Sequence, residues 1–367
     1  MGGGAAASST SEVGCIAASR NGAVPRNCMA WRHGDIWSLQ ETSGAAELPR
    51  LEPGCSPCAA GRQARGMHIF FATDGSASAR FAQAYILALP WPPPVHVTVM
   101  TAVDFPHPRF TSLTPGARRA FDAALTTLHQ DAEAKAKEWV TEARRALDPH
   151  VASVTTRVHE GPAGATIVEM AKACRADLVA VGSRGLGAFK GFLLGSVSNH
   201  VVRHAHCSVL LAKCPPKGDL RILLAFDGSA HAGAAIRWLK ELDLSAGAWI
   251  HVVTVLQGPK MSATTDDGDR QRMEEVRPPH CLAAGGNARE EVGALAGQSP
   301  SGQAVRMTAA VRRGHAASEI LAAVREFDPE LLVLGARGQH SPAESPLGSV
   351  AAKVIGRAPC SAVIVRG

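Results

Sequence analysis

One motif occurs twice in this chain at a fixed offset. Gly182, Gly185, Gly195 and Ser196 spell G-S-R-G, nine residues, then G-S; Gly335, Gly338, Gly348 and Ser349 repeat it as G-A-R-G, nine residues, then G-S. The copies lie 153 positions apart, and the same offset relates Asp74 to Asp227, Gly161 to Gly314 and Cys207 to Cys360. Both aspartates open a D-G-S triplet. One offset fitting these landmarks is the mark of a gapless tandem duplication, so a unit of roughly 150 residues is used twice.

Each copy reads as alternating apolar strands and helices from His68 onward. In the first, strands are expected at His68–Thr73, Val95–Val103, Val154–Val158, Leu178–Val181 and Ser208–Ala212. Helices are expected at Ala77–Leu89, Ala117–Leu147 and Ala165–Arg175, with another opening at Ser196. The second copy repeats this order after a compact linker, Cys214–Gly218, except that Gln257–Gln303 is poorly periodic. A shortened helix and a long mobile loop are expected there. Strands rich in Val, Leu and Ile without alternation suit a sheet buried on both faces, and intervening helices then force a parallel, doubly wound α/β arrangement. The domains are set at 67–213 and 219–367. Residues 1–66 are rich in Gly, Ala, Ser, Pro and Arg and lack periodicity, so a disordered, dispensable extension without a secretory signal is expected.

The 46% hydrophobic content suits a soluble protein, and no apolar run approaches the roughly 18 residues of a membrane span. The formal charge of +6 is scattered and only 5% of residues are aromatic. Neither a nucleic-acid nor a membrane partner is expected. Four of nine cysteines precede residue 60, and Cys55-Ser-Pro-Cys58 has the spacing of half a zinc site. No second pair follows, so these read as thiols of the tail, and the other five as small core residues in a reducing cytoplasm. His204 and His206 read as surface and turn residues rather than metal ligands. Lys260–Thr264 reads as a loop despite a faint likeness to a synthetase signature.

The duplicated loop carries the chemistry. In both copies it follows an apolar strand and opens a helix, where phosphates are commonly held. Gly182 and Gly185 allow the backbone to bring N–H groups against an anion. Ser196 is placed to cap the helix or to donate to a phosphate, as is Ser198. Asp74 ends the first strand and offers a carboxylate to a ribose or base. The second loop carries Pro342, Glu344 and Pro346, and Ala351 stands where the first copy has Ser198. Prolines remove donors and a carboxylate repels a triphosphate, so the second site is expected to be the weaker.

This glycine pattern, the early D-G-S strand end and the terminal H-A-x-C-x-V strand resemble the universal stress protein family in its tandem form, over residues 67 to 367. The resemblance implies a five-stranded parallel sheet in the order 3-2-1-4-5 in each domain. It also implies ATP, with or without Mg2+, between strands 1 and 4 and a stress-linked regulatory role. The sequence itself offers no identifiable base, nucleophile or metal clamp, so no catalytic or metal-binding residues are assigned. By motif position the first nucleotide site would comprise Asp74, Gly182, Ser183, Arg184, Gly185, Gly195, Ser196, Val197 and Ser198. The second would comprise Asp227, Gly335, Arg337, Gly338, Gly348, Ser349 and Val350. The two domains are expected to pair within the chain through their terminal strands, with a homodimer left open. An interaction scaffold that binds no nucleotide and a weak ATPase remain as alternatives.

Overall fold

The computed structural model describes residues 66–104, 114–186, 194–218, 220–244, 247–256, 305–339, 341–342 and 344–367. The N-terminal extension with Cys55 and Cys58, the whole of Gln257–Gln303 including Lys260–Thr264, and Lys190 and Gly191 lie outside the described residues.

The first repeat runs β1 (Met67–Ala72), α1 (Ala77–Ala88), β2 (Val95–Val103), α2 (Pro115–Leu147), β3 (Ser153–Glu160), α3 (Ala163–Ala173), β4 (Leu178–Gly182), α4 (Ser196–His204) and β5 (Ser208–Ala212). The second runs β6 (Arg221–Ala225), α5 (Ala230–Glu241), β7 (Trp249–Leu256), β8 (Arg306–Arg313), α6 (Ala316–Phe327), β9 (Leu331–Gly335), α7 (Ser349–Arg357) and β10 (Ser361–Val365). Capping explains where α1 and α5 begin. The Ser76 hydroxyl accepts from the Ala79 N–H at 3.2 Å, and Ser229 does the same for Ala232 at 3.1 Å. The last turn of α1 closes with the Leu89 N–H on the Tyr85 carbonyl, just before Pro90.

All ten strands form one sheet in the order β3-β2-β1-β4-β5-β10-β9-β6-β7-β8. Each repeat therefore has the expected 3-2-1-4-5 order. Within a repeat all pairings are parallel; β5 and β10 meet antiparallel, with Val363 opposite Leu210. The apolar terminal strands thus cover one another. The outer edges fall to β3 and β8, which carry Arg157, Arg306, Arg312 and Arg313. Charged edges discourage further strand addition. The core is continuous across the seam on both faces: Leu210 and Val363 belong to one buried cluster, Val209 and Ile364 to the other.

The seam is also clamped by a reciprocal pair of cations. Lys213, just after β5, donates to the Ile355 and Ala358 carbonyls at the end of α7, at 2.5 and 2.6 Å. Arg366, just after β10, donates to the Val202 and Arg203 carbonyls at the end of α4, at 2.7 and 3.0 Å. Each repeat thereby neutralises the negative end of the other's last helix. Ser361 accepts from the Lys213 N–H, and Ser208 from the Arg366 N–H, in the same reciprocal sense.

Burial pushes the Lys213 ammonium down to about 8 from 10.5, Cys360 and Cys214 opposing and Arg184 adding to the shift. Below pH 8 the folded and unfolded chains both carry the proton, and the full cost of burying the charge is present. Between pH 8 and 10.5 the folded chain releases it first, so the cost is relieved as pH rises. Wild type is therefore expected to gain stability relative to Lys213→Met over that window, by at most about 3 kcal/mol. Urea midpoints of both chains at pH 7.5 and 10.5 check this; a constant difference would contradict it.

Two sequence expectations need correction. Of the five cysteines assigned to the core, Cys360 is buried, but Cys174, Cys207 and Cys214 are only partly covered, because they sit at element ends and in the linker; Cys281 lies outside the described residues. Helices α2 and α3 also start two residues earlier than expected, at Pro115 and Ala163. Among the described residues no helix is long and apolar enough to cross a membrane.

Candidate nucleotide site

At the carboxyl ends of β1 and β4 the first repeat forms a cavity of about 360 Å³. Its walls include Asp74, Gly182, Arg184, Gly185, Gly195, Ser196, Val197 and Ser198, with Met100, Ala102 and Ile167 at its apolar side. Because β1 and β4 are neighbours, the D-G-S turn and the glycine loop share one crevice, the usual ligand position in such a sheet.

Asp74 fixes the shape of this crevice. One carboxylate oxygen accepts from the Ser76 N–H at 3.0 Å and the other from the Leu186 N–H at 3.1 Å. The Ser76 hydroxyl adds a bond to the Arg184 carbonyl at 3.2 Å. Asp74 and Ser76 thus staple the glycine loop to the end of β1. A carboxylate has about four lone-pair positions, so two bonds leave acceptor capacity for a ligand hydroxyl.

The two glycines of the loop serve different ends. A Cβ on Gly182 would lie 2.6 Å from the Ala79 backbone nitrogen, so this glycine lets β4 pack against the start of α1. A Cβ on Gly185 would lie 2.5 Å from the second Asp74 oxygen, so here the glycine makes room for the staple. Each glycine thus has a packing reason to lack a side chain, apart from any ligand.

Helix α4 opens on Gly195 as N-cap, with no side chain capping it. Ser196 is the first helical residue and not the cap, because Gly195 holds the extended cap conformation. The Ser198 hydroxyl is committed to the Gly182 carbonyl at 2.6 Å and is buried, so it ties α4 to β4 rather than offering a phosphate donor. Ser183 is likewise buried. What α4 does present to the cavity is its uncapped first turn, whose N–H groups have no intrahelical acceptor.

The second repeat reproduces the staple but closes the loop. Asp227 accepts from Ser229 at 3.0 Å and Gln339 at 3.2 Å, and a Cβ on Gly338 would meet it at 2.6 Å. Here, however, the Gly338 N–H is taken by the Ser341 hydroxyl at 3.2 Å, and Ser341 also crowds Gly348. Arg337 donates to His231 at 2.9 Å, whereas the position equivalent to His231 in the first repeat is Ser78. Burial, then the guanidinium groups of Arg337 and Arg366, push the His231 imidazole below its ordinary value. Gly335 packs against α5 as Gly182 does against α1. Ser349 and Val350 open α7, again with a glycine N-cap and no side-chain cap. Glu344 and Pro342 are exposed, and it is Ser341 that bonds the loop's backbone donor.

Sequence reasoning missed Ser76, Ser229, Ser341 and His231. The first two stand in the D-G-S triplets and were legible as caps.

The universal stress protein family model matches residues 67–213 and again 220–366. The chain belongs to this family. A universal stress protein of Synechocystis sp. is 34% identical over 84 residues, covering 23% of this chain and 54% of that protein. A putative universal stress protein of Staphylococcus epidermidis is 29% identical over 147 residues, 40% of this chain and 83% of its own length. The chain thus spans about half of the first of these relatives. Among solved structures, a universal stress protein from Archaeoglobus fulgidus aligns over 82% of this chain and 96% of its own, with a TM-score of 0.53 at 19% identity. This likeness concerns the fold alone. Among the described residues no three His, Cys, Asp or Glu side chains are grouped as metal ligands.

Proposed function

We propose that this universal stress protein binds ATP in its first repeat and acts as a nucleotide-dependent regulator in a stress response, rather than as a metabolic enzyme. One observation carries the reading: the uncapped N-terminus of α4 opens into a cavity of about 360 Å³ built by the stapled glycine loop. That volume lies within the range of small-molecule sites, roughly 300–1,000 Å³. The Ser196 and Val197 N–H groups and the helix dipole would receive the phosphates, a term of about 0.3–1 kcal/mol from the dipole alone. Asp74 would accept from a ligand hydroxyl while holding the loop, and the exposed Leu186 and Val197 would flank the apolar part of the ligand. A triphosphate would bring its own Mg2+.

The second repeat has the same frame, but Ser341 already occupies the Gly338 N–H. One nucleotide per chain is the consequence. Denaturing the purified full chain and assaying the supernatant is expected to release adenine nucleotide, at no more than about one per chain. Absence of released nucleotide from a chain that also fails to bind ATP on titration would favour the nucleotide-free scaffold.

A further inference from the structure

We propose that a second cavity, at the seam between the repeats, is a separate ligand site for a small organic anion. This cavity, about 700 Å³, lies at the opposite end of the first repeat's strands from Asp74. Its charged lining is Lys172, Arg175, Arg237 and Arg366 against Asp177 and Glu241, and the largely buried Trp238 backs it. Asp177 is already used, accepting from the His68 N–H at 2.9 Å. Four cations thus face two carboxylates across the cavity lining.

The pseudo-symmetry of the duplication provides the control. At the equivalent place on the other side of the seam, Tyr85 stands for Trp238, Ala84 for Arg237 and Ala88 for Glu241. There Tyr85 is fully buried and donates to the Glu330 carbonyl at 3.0 Å, and the linker at Lys213 and Cys214 lies against Ser361. Asp328 stands for Arg175 and pairs with Lys217 of the linker at 3.0 Å. The cavity side thus carries arginines at 237 and 175 where its twin has Ala84 and the paired Asp328. Guanidinium groups suit a carboxylate or phosphate. Arg366 clamps the end of α4, and Lys172 lies in the last turn of α3, where a cation is favourable for the fold; Arg237, inside α5, has no such role.

The test is an equilibrium titration of the full chain with anilinonaphthalene sulfonate, a flat apolar probe bearing one anion, read by fluorescence. Saturable binding is expected, weakened by added salt. Pyrophosphate and citrate serve as competitors: displacement by either supports the site and tells phosphate from carboxylate, and displacement by neither overturns it. Arg237→Ala is expected to weaken the probe about tenfold, with partial rescue by Arg237→Lys. Arg175→Asn should act alike, since Asn tolerates the φ of 53° at this position. ATP binding should be unchanged in both variants. Unchanged probe affinity in the Arg237→Ala/Arg175→Asn pair, or its loss in Gly185→Val, which would put the probe in the glycine loop, overturns the proposal. Circular dichroism of each variant separates misfolding from lost binding.

Discussion

Replacing Val363 with lysine is expected to split the molecule along its seam. Val363 is fully buried, opposite Leu210 in the antiparallel β5–β10 pair, and lies in a core cluster shared by both repeats. The substitution loses about 1.5–3 kcal/mol of side-chain burial. It also leaves an ammonium in an apolar layer, at a cost of several kcal/mol more. Against a total stability of about 5–15 kcal/mol for a domain, the seam cannot absorb this. The two repeats should then unfold in separate urea transitions, and limited proteolysis should cut at the linker 213–218. Val209→Lys, on the opposite face of the seam, should behave alike. Val311→Lys is the control, because Val311 is 55% exposed on the outer strand β8 and should cost little. A single transition and an intact linker in Val363→Lys would show that the seam does not hold the repeats together.

Gly185→Val is expected to lower ATP affinity at least tenfold, about 1.4 kcal/mol, while the chain stays folded. Its Cβ would meet an Asp74 oxygen at 2.5 Å, forcing the carboxylate off the Leu186 N–H and loosening the loop. Asp74→Ala should shift affinity in the same direction by removing the staple without adding bulk. Gly182→Val is a different experiment: its Cβ would press on the α1 backbone, so loss of stability should dominate. An unchanged ATP titration by folded Gly185→Val would count against the first-repeat site.

Much of this fold was legible because the repeat offset and the strand runs are local sequence patterns. Val95–Val103 and Ser208–Ala212 have the expected bounds, since each is a short apolar run ended by a polar residue or a turn. The loop-to-helix position of the glycine motif was equally legible. The roles of individual residues were not. Gly182 packs on α1 and Ser198 bonds to a strand carbonyl, contacts set by which helix crosses which strand. The reciprocal clamp of Lys213 and Arg366 could have been found from the sequence, because these cations share the 153-residue offset with Ser208 and Ser361. What hid it is that a cation after a strand end has no meaning until the opposing helix terminus is known. In the second loop the sequence drew attention to Glu344 and the prolines, whereas Ser341 is the residue that bonds the Gly338 N–H, and Glu344 is exposed.

Calorimetric titration of the nucleotide-free full chain with ATP decides whether one of the two homologous loops accepts a nucleotide. One such loop per chain predicts saturable binding at about one tight site, or a tight and a clearly weaker site, with the tight site lost in Gly185→Val. Two equal sites, or no saturable heat in the wild-type chain, would contradict it.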